Sequence, residues 1–239
     1  SAASDVYKRQ IMNTGDTAFM MICAALVFFM TPGLAFFYGG LVRRKNVCNT
    51  IMACVAIMGL SVVMWTLFGY SLSFGGNHAG IIGDFRWFGL NGVGMEAGPY
   101  ADSIPHLVFC AFQMMFAMIT PALITGSLVG RMKFKALFLF VAIWSVIVYY
   151  PMAHMVWGDG GFLAAIGSVD FAGGDVVHIS SGISALVLAI ILGRRRGYEH
   201  TTYRIHNIPS VVLGASLLWF GWFLSLIHIS EPTRLRCIS

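Results

Sequence analysis

The chain has 239 residues, 58% of them hydrophobic and only 10% charged, with a mean hydropathy of +0.78. A soluble domain carries about 25% charged residues, so this composition excludes an ordinary water-soluble globule and indicates a chain built for lipid. The net charge of +5 does not mark a nucleic-acid binder, because the basic residues are confined to particular loops.

Segments 17–42, 46–83, 103–130, 136–158 and 176–193 contain no Asp, Glu, Lys or Arg, and 207–223 begins one more. A bilayer core needs roughly 20 apolar residues per helix. A backbone in hydrocarbon can bond only to itself, so each segment is read as a helix. The expected fold class is an all-α polytopic membrane protein. Its spans are placed at 17–42, 47–72, 105–130, 134–153 and 174–193, with a sixth starting near Pro209. The first carries Pro32-Gly33 and Gly39-Gly40, small residues that let helices approach closely. Between the second and third spans, 73–104 is rich in glycine and is read as irregular chain, with room for a short surface helix.

Ten basic residues lie at 43–45, 131–135 and 194–206, against Arg86 alone on the alternate loops, where Asp84, Glu96, Asp102, Asp159 and Asp170 collect. Positive loops stay on the cytoplasmic side. The N-terminus, 73–105 and 154–172 are therefore expected outside, and the three basic loops inside. Cysteines at 23, 48, 54, 110 and 237 show no metal-type spacing and are read as packing residues.

The two ends do not fit what they adjoin. SAASDVYKRQ (1–10) and LSLIHISEPTRLRCIS (224–239) look like translated transposon-type sequencing adaptors, which leaves 11–223 as the expected domain.

Few residues carry chemistry. His178 lies in the outer half of the fifth span, where an ionisable group is functional by default. It is read as buried, either bonding a neighbouring helix or lining a pore. Trp157 sits where the fourth span meets the outer interface, as a belt anchor or as an aromatic face for a cation. Phe112 and Phe116 share a helical face, as core or as a stack closing a narrow path, and Gln113 beside them is expected to bond between helices. His154 is expected to pack. Asp170 precedes Phe171-Ala172-Gly173-Gly174 and the fifth span, where a carboxylate can accept backbone N–H bonds and suit the positive helix end; direct contact with a cation is the other reading. Asp175 is a first-turn acid, and Ser180, Ser181, Gly182 and Ser184 form a smooth packing face. G-x-x-x-x-G-K-[ST], H-E-x-x-H, C-x-x-C and G-x-S-x-G are all missing from the sequence, so an enzyme reading has no support.

DFAGGDVVHISSGISALVLAIILGRR, residues 170–195, resembles the ammonium transporter signature along its whole length. FFMTPGLAFFYGGLVRRKNV, AFQMMFAMITPALITG, YYPMAHMVWGDGGFLA and HNIPSVVLGASLLWFGWF agree with it. Residues 13–223 are similar to the N-terminal half of a bacterial or archaeal Amt-type member of the Amt/Mep/Rh superfamily. The resemblance implies an eleven-helix fold with two inverted five-helix halves, of which this chain holds the first five helices and the start of the sixth. It implies a homotrimer with one pore per subunit, no cofactor, and regulation by a PII-type protein at cytoplasmic loops. By the same resemblance, Trp157 and Phe112 belong to an outer ammonium-recruitment site, Phe116 gates below it, His178 is the first of two pore histidines, and Asp170 supports the site. The expected activity is recruitment of ammonium, its deprotonation and conduction of ammonia, with this chain alone inactive. The alternatives are an ammonium sensor on the same fold or a purely structural membrane protein. Three departures stand out: the text stops before the serine of the recruitment site, the second histidine lies outside the chain, and Gly130 replaces a glutamate common in the family.

Overall fold

The structure, a computed structural model, describes residues 12–195 and 204–230. Helix α1, Thr14–Leu41, starts where the Asn13 side-chain oxygen accepts from the N–H groups of Gly15 and Asp16, donors with no partner inside the helix. Helix α2 runs Arg44–Phe74, α3 His106–Leu128 and α4 from 134 to 157. A single turn, α5 (Phe162–Ala165), leads to α6 (Gly174–Leu192) and α7 (Ile208–Ser230). Among the described residues five helices are long and apolar enough to cross a membrane, and all five fall on the expected spans. Helix α7 begins as expected and continues through 224–230; the segments 1–10 and 231–239 lie outside the described residues.

Helices α1 and α7 pack along each other more extensively than any other pair. Glycines make this possible. A Cβ on Gly33 would come within 2.9 Å of the Leu217 Cβ, and one on Gly40 within 2.8 Å of the Asn207 carbonyl. A Cβ on Gly214 would strike the Phe37 backbone, and one on Gly221 the Met30 side chain. Lipid tails are as apolar as leucine, so helix association in a membrane depends on such close van der Waals contact.

Helices α2 and α4 each widen into a π-type turn, at Trp65–Gly69 and Ser145–Tyr149. The two meet there: the Tyr150 ring lies 6.1 Å from both Trp65 and Phe68. It fits because Gly69 has no side chain; a Cβ would stand 2.6 Å from the ring. Of the five spans, α6 is the least covered, burying only Val176, Val177, Ser180 and Ser181. Its Leu186, Ile190 and Ile191 are exposed, as expected of a surface facing lipid.

The glycine-rich segment 75–105 differs from expectation. It is an ordered cap carrying two antiparallel pairs, β1 (Asn77–His78) with β2 (Ile82–Gly83) and β3 (Ala97–Gly98) with β4 (Ala101–Pro105), plus a 3₁₀ turn at Phe88–Leu90. Side chains from the helices hold it down. Ser71 Oγ donates to the Asp84 carbonyl and accepts from the Trp87 N–H. The buried His154 meets the Ser73 carbonyl at 3.0 Å, which is the packing role expected of it. Cys23, Cys54 and Cys110 are buried and Cys48 is exposed, and these four form no disulfide.

Gly40→Val is expected to destabilise the fold by about 1–3 kcal/mol, the usual cost of overpacking, read as a lower unfolding temperature in detergent. Gly59→Ala is the control, since nothing lies within 4 Å of that position, and it should be neutral or stabilising.

Candidate functional site

Asp170 organises the outer end of α6. Its Oδ1 accepts from the N–H groups of Gly173 and Gly174, both at 2.7 Å, and its Oδ2 from those of Asp175 and Val176, at 2.8 and 3.0 Å. One carboxylate thus satisfies four first-turn donors and opposes the positive helix end. The turn requires glycine at 173, where φ is 81° and a Cβ would meet the Val177 side chain at 2.8 Å. Both carboxylate oxygens are committed to the backbone, which favours the architectural reading of Asp170 over direct cation contact. Ser168 Oγ donates to Asp175 at 2.8 Å and tightens the same turn.

The Asp170 backbone carbonyl accepts a 2.8 Å hydrogen bond from Trp157 Nε1. That bond orients the indole toward Phe116, whose ring lies 6.1 Å away, edge to face. Phe112 stands perpendicular to Phe116 at 5.1 Å. Together with Asp170 these three rings line an outer cavity of about 590 Å³. Below it is a second cavity of about 590 Å³, walled by α1, α3, α6 and α7 and containing His178. Phe116 lines both. It is the partition between them.

His178 sits in the π-type turn Gly174–Ile179 that opens α6, with the Trp222 ring 6.5 Å away. Its side chain is exposed to the lower cavity rather than buried, because no described residue covers it on the far side. Gln113 also departs from expectation. It lines the outer cavity, and its buried Oε1 accepts no hydrogen bond. Tyr100 is a wall residue that sequence reasoning missed, since nothing in a glycine-rich loop singles it out. Its hydroxyl donates to the Phe74 carbonyl at 2.8 Å and accepts from the Asp159 N–H. Burial pushes that hydroxyl above its ordinary range, against the lowering effect of the Asp159 bond, so it remains a donor. Among the described residues no cluster of three metal-ligating side chains occurs.

The sequence model described as the Ammonium Transporter Family matches residues 18–224. The chain belongs to this family. An ammonium transporter of Bacillus subtilis (strain 168) is 50% identical over 212 residues, covering 89% of this chain and 52% of the relative. Among solved structures, Saccharomyces cerevisiae Mep2 matches with a TM-score of 0.80 at 34% identity, over 90% of this chain and 50% of Mep2. A sensor Amt protein matches with a TM-score of 0.76 at 30% identity, over 87% and 53%. The chain therefore spans about half the length of the curated relatives it matches. Phe112, Phe116, Trp157, Asp170 and His178 all fall inside the ammonium transporter family match.

The cap over this ammonium transporter domain has its own electrostatic tie. Asp84 accepts from the Arg86 N–H at 3.0 Å and from its guanidinium Nε at 3.1 and 3.2 Å. Burial raises the Asp84 carboxyl, but the Arg86 and Gly76 N–H donors and the guanidinium together hold it below the usual carboxylate range. A depressed carboxylate contributes stability that is complete above its unfolded-state value and lost as pH falls through the folded one. The protection factors of the amides in 75–86, measured relative to their intrinsic exchange rates, are therefore expected to fall on acidification below about pH 4, and Asp84→Asn to remove most of that pH dependence. Asp170→Asn should cost about 1.5–3 kcal/mol, the range for hydrogen bonds to a charged group, with faster exchange of the amides at 173–176.

Proposed function

We propose that this chain supplies one wall of a transmembrane path for ammonium and ammonia, with the cation received in the outer cavity and the neutral molecule passed beside His178. The observation that carries this reading is the position of Phe116, the shared wall between an aromatic chamber and a chamber holding an imidazole. Ammonium and potassium are similar in size, so a cage of fixed radius separates them poorly. Ammonium donates directional hydrogen bonds and can lose a proton; potassium does neither. The Trp157, Phe112 and Phe116 rings offer aromatic faces, worth about 2 kcal/mol or more to a desolvated cation. The unpartnered Gln113 Oε1 offers an acceptor for an N–H donor. Moving a full charge further into a dry interior costs several kcal/mol even after relaxation. Shedding the proton above Phe116 removes that cost, and His178 then meets a neutral solute to which it can hydrogen-bond.

The relatives' extra length is where an opposing wall would come from, and it would cover the exposed His178. Alone, then, the chain does not conduct. The assembled protein is a multi-pass plasma-membrane protein and a homotrimer with one path per subunit. Its basic ends, 43–45, 131–135 and 194–206, face the cytoplasm, within reach of a PII-type regulatory protein. No catalytic step and no cofactor enter this mechanism. The likeness to a sensor Amt protein favours one second reading, in which the same cavities detect ammonium rather than pass it.

Uptake of labelled methylammonium into proteoliposomes decides among these. The chain alone should show none, and the longer protein holding both walls should show saturable uptake. In that protein Trp157→Leu should lower uptake about tenfold at low substrate, the equivalent of one lost cation–π contact, and His178→Ala should lower the maximal rate. Normal uptake in both variants would reduce these side chains to packing. Substrate binding without uptake would make the protein a sensor.

A further inference from the structure

Where α2 and α4 end beneath the outer cap, a histidine that lines neither cavity meets two acceptors at once. His154, fully buried in the last turn of α4, holds its Nδ1 3.0 Å from the Ser73 carbonyl and its Nε2 3.3 Å from Asn77 Oδ1. The Ser73 carbonyl can only accept. Asn77 leaves no freedom either: its Oδ1 accepts from the Gly80 N–H at 2.6 Å, and its Nδ2 donates to the Gly160 carbonyl at 2.8 Å. Exchanging the two amide atoms would set donor against donor and carbonyl against carbonyl. A neutral imidazole has one N–H and an imidazolium two, so only the protonated ring satisfies both partners.

A charge buried without partners is costly, but the surroundings here suit one. The final carbonyls of a helix have no partner within it. At the end of α2 the Phe74 carbonyl is taken by the Tyr100 hydroxyl and the Ser73 carbonyl by His154. The ring thus sits at the negative ends of two helices, α2 and α4, a position that favours a cation. Asp84 in the cap and Asp159 in the loop after α4 also favour charge on the ring, while His78 on β1 opposes it. Arg86, the cation nearest in sequence, is held by Asp84. Glycines admit the arrangement: a Cβ on Gly158 would stand 2.6 Å from His154 Nδ1, and one on Gly160 2.4 Å from Asn77 Nδ2.

We propose that His154 is a proton-operated latch on the outer cap: as the imidazolium it ties 75–105 and the loop 158–161 to the ends of α2 and α4, and on losing its proton it gives up one tie. One ring nitrogen then turns a lone pair on its acceptor. The contacts that depend on Asn77 loosen with it, including the Gly80 N–H and, through the Gly80 carbonyl, the Phe162 N–H that donates to it at 2.8 Å. Closure and proton binding are linked, so the latch is firm near about pH 5 and weak near about pH 8, across the range in which histidine changes charge. This contact is lost as pH rises, the reverse of the Asp84 tie, which is lost only below about pH 4. Phe74 and Tyr100 on either side of the latch line the outer cavity, but the latch does not depend on what that cavity receives.

Hydrogen exchange of the purified chain in detergent, with protection factors taken relative to intrinsic rates, tests this between about pH 5 and 8. We expect the amides at 80 and 162 to be at least about fivefold better protected at the acidic end, the equivalent of one hydrogen bond. His154→Gln, which keeps a single donor group, should make their protection independent of pH in this window. Asn77→Asp, at an exposed position, should move the midpoint up by about one pH unit or more, because a carboxylate facing the ring favours its charge. That variant carries the test if His154→Gln does not fold. His78→Gln removes the neighbouring histidine and should leave the dependence in place. Flat protection in the parent chain, an unmoved midpoint in Asn77→Asp, a dependence that survives His154→Gln, or one abolished by His78→Gln would overturn the proposal.

Discussion

The outer half of the molecule depends on one carboxylate. Asp170 takes four backbone N–H groups into its two oxygens, and its carbonyl, fixed by the same turn, accepts from Trp157. A helix that begins inside a membrane protein exposes donors that hydrocarbon cannot satisfy. Asp170 solves that problem within its own loop and, in doing so, sets the angle of the indole. The Trp157, Phe116 and Phe112 rings then follow by edge-to-face contact, the arrangement aromatic quadrupoles prefer. The position of His178 comes from the same origin, because the π-type turn that carries it starts at the capped residues.

The cavities are the complement of this arrangement. Phe116 bounds both, while the rest of α3 below it is tightly packed through Ala117, Met118 and Ile119. Serines at the start of α6 keep their hydroxyls on the backbone: Ser181 donates to the Val177 carbonyl at 2.6 Å and Ser184 to that of Ser180 at 2.7 Å. Ser184 also accepts from Trp144 Nε1 at 2.8 Å, so the face read as merely smooth also joins α4 to α6. Polar groups here are satisfied locally, which leaves the Gln113 oxygen conspicuous in the outer chamber.

Much of this was legible from residue order. Charge-free runs located the spans, and α1 through α4, α6 and the start of α7 fall where hydropathy put them, because length and polarity are one-dimensional constraints in a bilayer. The capping role of Asp170 was legible too, since an acid before Gly-Gly at a helix start has few alternatives. The folding of 75–105 was not. Its order arises from long-range bonds such as Tyr100 to Phe74 and Asn77 to Gly160, and glycine there means close approach of backbone rather than disorder: a Cβ on Gly83 would stand 2.9 Å from the Leu72 carbonyl. Gln113 misled for a similar reason. Its neighbours in sequence are packed, whereas its neighbours in space leave a void, and only three dimensions separate the two.

The glycine seam between α1 and α7 bears on how the protein is made. It joins the first described span to the last, so it has the highest sequence separation in the bundle, and non-local contacts form late and slowly. During synthesis α1 emerges before α7, with Gly33 and Gly40 unmatched, and holds an incomplete surface in the bilayer until Gly214 and Gly221 arrive. Membrane quality-control machinery would meet the nascent chain in that interval, with its seam still open.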